Sequence, residues 1–299
     1  MMSFLVIEES AISVIIFIVN IRRILTIKII TIMALSSITK KLIMSVSGLF
    51  LILFMLLHSV INFFAVVDVF KGSWGAPAGE GWYASGCWFM ATPVIDIMVP
   101  VLALGFMVHI IYAGILTYGN MKARGPQSYA VTHKGKSESW ASKNMLVLGI
   151  IVLGVIFFHM SHFWAEMQYV EWFKGEHVDP AICYTLLAKT FQPLWMVILY
   201  IVWFGALWFH LTHGFWSALQ TIGWSNKIWE KRLMCAGKAL ATLFFVLLSV
   251  TAIVSHLVAN GKIDVPAVQV HEECAADADC CGSECAGECA EYDFEDLCG

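Results

Sequence analysis

Charged residues are scarce in this sequence. Only 13% of the 299 residues are Asp, Glu, Lys or Arg, whereas 59% are hydrophobic and the mean hydropathy is +0.76. Soluble domains carry about 25% charged residues, so these values exclude an ordinary water-soluble protein. The sequence also lacks the glycine-rich fingerprint of dinucleotide-binding folds, which argues against a flavin domain of that type in this chain. We expect an integral membrane protein.

Five stretches contain no charged residue, and each is long enough to cross a hydrocarbon core of about 30 Å as an α-helix. They are residues 42–67, 97–121, 144–165, 190–226 and 239–261. Their apolar residues do not alternate with polar ones as in barrel strands, and helices satisfy their backbone polar groups internally. The sequence therefore predicts an all-α membrane protein in which residues 36–262 form a bundle of five transmembrane helices.

The charges between these stretches predict the orientation of the chain. Basic residues exceed acidic ones before the first helix, between the second and third helices, and between the fourth and fifth. Acidic residues exceed basic ones in the other two connections, to which we assign Asp68, Glu80, Asp96, Glu166 and Glu171. Because basic loops stay in the cytoplasm, we expect a multi-pass protein of a bacterial cytoplasmic membrane. Its N-terminus should be cytoplasmic and its C-terminus periplasmic.

Two terminal segments do not fit the bundle. Residues 1–35 contain an uncharged run, residues 10–21, that is too short to span. Synthesis starting near Met33, an amphipathic surface helix and an uncleaved signal are the alternative interpretations. The C-terminal segment, residues 263–299, is acidic beyond position 270 and holds six of the nine cysteines. It should be disordered, unless disulfides or a metal hold it.

Histidine is frequent in the predicted spans, although polar groups in a membrane are costly unless they are paired or bound to a ligand. Seven histidines fall there: His58, His109, His159, His162, His210, His213 and His256. Counting residues from the charges or prolines that precede each helix gives the depth of each ring. His58 and His159 share one depth in the outer half, and His109 and His210 share one depth in the inner half.

Two pairs of imidazoles at matched depths on four helices predict two metal centres stacked across the membrane. Imidazole pairs inside apolar helix bundles suit the iron of bis-histidine haem b. The alternative is that each histidine hydrogen-bonds a neighbouring helix and only stabilises helix packing. A membrane transporter with an intramembrane histidine proton relay is the rival function from another class.

Four segments of the sequence resemble segments of a known protein family. In chain order they are KLIMSVSGLFLILFMLLHSVINFF, GFMVHIIYAGILTYGNMKARG, GIIVLGVIFFHMSHFW and FHLTHGFWSALQTIG. Through them, residues 38–262 resemble the single-chain, two-haem cytochrome b subunit of succinate:quinone oxidoreductases, which include quinol:fumarate reductases. The resemblance implies two haem b groups and a quinone, often menaquinone. It implies a flavoprotein subunit and an iron–sulfur subunit as cytoplasmic partners, with no role for nucleic acid.

The resemblance also implies which histidines bind iron, because HMSHFW and HLTHGF each offer two on one helix face. The family has a glycine ten residues before the third-helix ligand, which selects His159 after Gly149. It has a glycine four residues after the fourth-helix ligand, which selects His210 before Gly214. The expected ligands are thus His58, His109, His159 and His210, and the alternatives are His162 and His213.

Three other residues complete the expectations. Glu80, beyond the first helix, is either an acid of a quinone site or a solvated loop carboxylate. Ser45, near the inner end of the first helix, is a candidate partner for a haem propionate. His256 has no partner at its depth and is interpreted as structural. Cytochrome b subunits of formate dehydrogenases or hydrogenases also carry two bis-histidine haems, but their partners lie on the outside, and they are the rival family.

Overall fold

The computed structural model consists of helices joined by turns and short connections. It describes residues 22–23, 35–125, 140–175, 178–224, 226 and 228–265. The predictions for the cysteine-rich tail and for nearly all of the N-terminal extension lie outside these residues. The middle of the loop between the second and third transmembrane helices lies outside them as well.

Five helices of the described chain are long and apolar enough to cross a membrane, which confirms the predicted number. They are α1 (Ser37–Lys71), α3 (Pro93–Arg124), α5 (Met145–Lys174), α7 (Leu194–Ile222) and α8 (Glu230–Ala259). Three shorter helices, which the sequence did not predict, lie in the connections: α2 (Trp82–Met90), α4 (Trp140–Lys143) and α6 (Ile182–Phe191).

Local signals set the ends of the spanning helices. The Ser36 hydroxyl accepts a hydrogen bond from the Thr39 backbone N–H at 3.1 Å at the start of α1. Gly72 ends α1 in the left-handed conformation, at φ +70°, which residues with a Cβ rarely adopt. Pro93 opens α3, where its missing N–H is not needed, and Pro193 immediately precedes α7. The prolines from which the depths of two histidines were counted therefore stand at helix starts.

Helix α5 is longer than its uncharged stretch predicts. The α-helical part, Met145–His159, continues to Lys174 as a wider helix of the π type. Glu166 and Glu171 therefore lie on this helix and not in the following connection, to which the sequence analysis assigned them. A helix does not end where charges begin, because its backbone hydrogen bonds are internal and charged side chains reach water beyond the hydrocarbon.

Helix α1 is the central element of the bundle. It packs against α3 on one side and against α7 and α8 on the other, and α7 packs against α5. Helices α3 and α5 meet where Asp96 Oδ1 accepts hydrogen bonds from Gln168 Nε2 at 2.8 Å and from the Trp172 indole N–H at 3.1 Å. Helices α1, α3, α5 and α7 therefore form a four-helix ring, and α8 packs outside it.

Contacts between helix ends place five of these ends on one side of the bundle. The end of α1 contacts α6 through Asp68 and Tyr184, and the start of α3 contacts the end of α5. The end of α8 contacts the residues before α7, where His256 Nδ1 lies 2.8 Å from the Phe191 carbonyl oxygen. We name this the outer side, after the predicted orientation, and the opposite side the inner side.

A buried carboxylate organises the outer side. Asp68 was assigned above to an outward loop, but it lies in the last helical turns of α1 and is fully buried. Its two oxygens accept hydrogen bonds at 2.5 to 2.9 Å from the Ser73 hydroxyl, the backbone N–H groups of Trp82 and Tyr83, and the Tyr184 hydroxyl. Burial and this hydrogen bond raise the pKa of Tyr184, so its hydroxyl stays a donor. Asp68 therefore joins α1, α2 and α6.

Candidate functional site

His58 on α1 and His159 on α5 face each other in the outer half of the bundle. Their ring centroids are 5.7 Å apart, and the ring planes are nearly perpendicular, at 89°. Aromatic rings enclose the pair: Phe54 stacks on His58 at 5.4 Å, and Phe163 and Trp203 lie 5.1 and 5.9 Å from His159. The structure thus brings together the two histidines that share the outer depth. We name them the outer pair.

His109 on α3 and His210 on α7 face each other in the inner half. Their ring centroids are 6.3 Å apart, with 67° between the planes, and we name them the inner pair. Ser47 Oγ lies 3.3 Å from His109 Nδ1. Gly48 approaches the same ring so closely that a Cβ built on it would lie 3.2 Å from His109 Cε1. A side chain at position 48 would therefore push against the ring.

Each pair joins helices that are opposite in the four-helix ring. The outer pair joins α1 to α5, and the inner pair joins α3 to α7, whereas the main packing contacts run between neighbours in the ring. Diagonal pairs necessarily project into the interior of the bundle. The four rings therefore point to a shared interior space and not to the lipid or to one adjacent helix.

The two pairs are separated by about 15 Å along the bundle, the rise of ten α-helical residues. On α1, Gly48 adjoins the inner pair and His58, ten residues later, belongs to the outer pair. On α5, a Cβ on Gly149 would lie 3.9 Å from His210 Cε1 of the inner pair, and His159, again ten residues later, belongs to the outer pair. Two helices thus give the same separation.

The alternative histidines do not face either pair. His162 Nδ1 lies 2.7 Å from the carbonyl oxygen of Phe158 on its own helix, and its ring packs on that phenyl ring. No ring contact joins His162 or His213 to another histidine in the described part of the chain. His256 is hydrogen-bonded at the Phe191 carbonyl, as a structural histidine should be. The geometry therefore favours His159 and His210 as the facing members.

Two imidazoles per centre are too few for a bare metal ion. Zinc takes four ligands and calcium six or more, and no group of three His, Cys, Asp or Glu side chains occurs among the described residues. Haem iron needs only two axial ligands from the protein. Opposed imidazoles bonded to a metal at about 2 Å have ring centroids about 6 Å apart. Ordinary edge-to-face rings have similar spacing, so the number of ligands, and not the distance between the rings, favours haem.

One ring nitrogen in each pair has no partner. His159 Nδ1 and His210 Nδ1 are buried, and neither has a hydrogen-bond partner within the residues that the structure describes. Buried polar atoms are nearly always paired, so such atoms need an explanation. Coordination to a metal would satisfy a ring nitrogen of this kind. The residues present therefore fit a group that binds one imidazole from each of two helices.

Two neighbours of the pairs were missed in the sequence. Asn62 Nδ2 lies 3.4 Å from His58 Nε2, and Asn62 Oδ1 accepts a 3.4 Å hydrogen bond from the Tyr83 hydroxyl. The spacing of four residues between His58 and Asn62 on one helix could have revealed this contact. Ser47 touches a ring on another helix, and no spacing within the sequence indicates that contact. Ser47 is placed to orient His109, whereas the Asn62 amide donates its shorter hydrogen bond, at 2.8 Å, to the His58 carbonyl oxygen.

An open apolar cavity of about 440 Å³ lies in the outer half of the bundle, and neither ring of the outer pair lines it. It lies between α1 and α2 and is lined by Leu57, Ile61, Phe64, Gly79, Trp82, Ser85, Gly86 and Phe89. Glu80 is exposed in the turn that separates two of these lining residues. Ser45 is buried in α1, on the inner side of Ser47. The cavity is within the size range of small-molecule sites, and Glu80 lies at its rim.

The chain matches no protein-family model, no curated protein and no solved structure. Its function must therefore be inferred from the arrangement of its own side chains. The resemblance to cytochrome b subunits depends on four short segments and on the histidines within them.

Proposed function

We propose that the chain is the di-haem cytochrome b membrane anchor of a succinate:quinone oxidoreductase or quinol:fumarate reductase. One observation carries the proposal: four histidines from four helices meet as two diagonal pairs, stacked across the bundle. Each pair offers two ligands, which is the number that haem requires from a protein. Bound haem would supply a one-electron couple at each centre. Electrons would then pass between an iron–sulfur subunit on the inner side and a membrane quinone.

The chain's own residues hold and orient the iron ligands in this proposal. The outer and inner pairs supply the axial imidazoles. Ser47 Oγ at His109 Nδ1 fixes the rotation of that ring and leaves its Nε2 for iron. Asn62 Nδ2 can only donate, so its 3.4 Å contact with His58 Nε2 has to open when that nitrogen binds iron. Groups that hydrogen-bond a ligand also change its basicity and so tune the metal. Ser45 and the basic residues of the inner side are candidates for binding propionates.

The apolar cavity between α1 and α2 is our candidate for the quinone. Its wall is apolar, as a quinone ring and tail require, and its lining residue Leu57 precedes His58 in the chain. Glu80 at the rim is either the acid that exchanges protons with the quinone or a solvated carboxylate. Glu80→Gln separates these interpretations: lost quinone turnover with both haems present supports the first, and unchanged turnover supports the second.

An absorption spectrum tests the proposal against its rivals. The reduced-minus-oxidised spectrum of the purified chain should show b-type haem bands, whereas a histidine-relay transporter would show none. The chains that co-purify distinguish between the two types of oxidoreductase. A succinate:quinone oxidoreductase should yield a flavoprotein and an iron–sulfur subunit, both bound on the inner side. Partners on the outer side would instead favour the formate dehydrogenase or hydrogenase type.

The inner side should dock the hydrophilic subunits by charge. Exposed basic residues collect there, among them Lys41, Lys122, Arg124, Lys231 and Arg232. Complementary charge steers association, and reversing the charge on one partner weakens the association. We expect Lys231→Glu with Arg232→Glu to lower the co-purified yield of the iron–sulfur and flavoprotein chains several-fold, with both haems retained. Lys174→Glu, at an exposed outer position, is the matched control and should leave the yield unchanged.

The cysteine-rich tail should be dispensable for electron transfer. It follows the last spanning helix and is predicted to lie outside, about 30 Å of hydrocarbon away from the inner docking surface. Truncation after Ile263 should therefore leave both haems and the turnover of succinate or fumarate with quinone nearly intact. A truncated chain that assembles but lacks haem or turnover would contradict this prediction. Haem content and quinone reductase activity in membranes are the measurements.

A further inference from the structure

Two cysteines meet on the outer side of the bundle, away from both histidine pairs. Cys87 lies on α2 and Cys183 lies at the start of α6. The exposed fraction is 8% for Cys87 and 1% for Cys183, and both residues belong to the same hydrophobic cluster. Their side chains interact with each other, and Cys87 also interacts with the Tyr83 hydroxyl. The two thiols are therefore neighbours, although 95 residues separate them in the sequence.

The packing around the cysteines holds them in this position. The Ala84 backbone N–H lies 3.4 Å from the Tyr184 hydroxyl, to which it donates, and the rings of Tyr83 and Tyr184 are 5.2 Å apart. Tyr184 follows Cys183 directly, and Tyr83 precedes Cys87 by one helical turn. Asp68 accepts hydrogen bonds from both tyrosine residues, through the backbone of one and the hydroxyl of the other. Helices α2 and α6 are thus fixed against each other, with both cysteines in the same buried cluster.

We propose that Cys87 and Cys183 form a disulfide that joins α2 to α6 outside the membrane. The inference rests on the proposed orientation, because disulfides form and persist on the oxidising side of a bacterial membrane. The structure contains both residues as thiols, which is the reduced form of this pair. The disulfide would connect the two helices that close the outer end of the bundle around Asp68.

The bond must form before the outer side has packed. Burial raises the pKa of the Cys183 thiol, and a buried thiol is neither ionised nor accessible to an oxidant. During folding, the thiolate of one cysteine attacks the disulfide of a thiol oxidase and releases one thiol of that enzyme. The thiolate of the second cysteine then attacks the mixed disulfide and releases the other thiol. The pair loses two electrons and two protons, and the oxidase gains both.

Peptide mapping tests the disulfide on the full chain in its own membranes. Membranes are dissolved in denaturant with excess maleimide and no reductant, so that every free thiol is blocked before digestion. We expect a cross-linked peptide that contains Cys87 and Cys183 and is lighter than its two parts by two hydrogen atoms. Cys235, which is exposed near the inner end of α8, should be recovered blocked and serves as the control. Recovery of Cys87 and Cys183 as blocked thiols would overturn the proposal.

A second measurement separates this inference from the proposed function. A membrane-impermeant maleimide added to intact spheroplasts should not label Cys235, because that residue is predicted to face the cytoplasm. If Cys235 is protected and the Cys87–Cys183 pair is still free, the disulfide alone is refuted. If Cys235 is labelled, the proposed orientation has failed, and the disulfide loses its basis. The haem spectrum is independent of both outcomes.

Discussion

His159→Ala should remove the outer haem and leave the inner one in place. His159 and His58 face each other from α5 and α1, and no other histidine ring joins this pair within the described residues. Under the proposed function, loss of one axial imidazole would leave the outer centre with a single ligand, whereas the inner pair, about 15 Å away along the bundle, would keep both. Haem content should fall from two to one per chain, and His58→Ala should have the same effect. Extracted haem per purified chain is the measurement.

His162→Ala is the matched control for that experiment. It removes an imidazole from the same helix, three residues further along, but this ring is engaged with the Phe158 carbonyl of its own helix. Both haems should therefore remain. If His162→Ala removes a haem and His159→Ala does not, the choice between the two histidines is wrong. If either substitution in the outer pair removes both haems equally, the centres are not independent.

Asp68→Ala should prevent the outer side from packing. The substitution leaves four hydrogen-bond donors without this acceptor. The Tyr184 hydroxyl and the Tyr83 backbone N–H are buried, and the Ser73 hydroxyl and the Trp82 backbone N–H are partly buried. Each buried unpaired group costs about 1–3 kcal/mol, so the two buried donors alone cost several kcal/mol, a large part of the stability of a typical domain. We expect little monodisperse protein after detergent extraction and a melting temperature lowered by 10 °C or more, roughly the shift that several kcal/mol produce.

Asp264→Ala provides the comparison for Asp68→Ala. Asp264 is an exposed acid near the end of α8, so its loss should not change extraction or the melting temperature measurably. Tyr184→Phe removes one donor to Asp68 and the weak acceptor of the Ala84 N–H, and should give an intermediate decrease. Equal stability of the Asp68 and Asp264 variants would show that the cluster does not hold α1, α2 and α6 together.

The helices and the depths of the histidines were predictable because both depend on local sequence. Long uncharged stretches require helices in a membrane, and a rise of about 1.5 Å per residue converts position into depth. In the structure His58 faces His159 and His109 faces His210, as expected for residues at matching depths. Their role as iron ligands stays a prediction.

The outer side was not predictable because its contacts join residues far apart in the chain. Asp68 and Tyr184 are 116 residues apart, and charge counting placed the carboxylate in a solvated loop. The short helices α2 and α6 are fixed by such contacts and have no long apolar run of their own. The end of α5 was missed for a different reason, since a helix can continue beyond the hydrocarbon region into a segment that carries charged residues, here as a π-type helix.

A redox titration of the purified chain, combined with its haem content, tests the central claim most directly. The two histidine pairs have different surroundings, with Asn62 and aromatic rings at the outer pair and Ser47 and Gly48 at the inner pair. Burial and hydrogen bonding to the ligands set haem potentials, so the two centres should differ. The account predicts two b-type haems per chain that titrate as two components of equal amplitude. A chain purified in folded form that binds no haem, or only one, would contradict it.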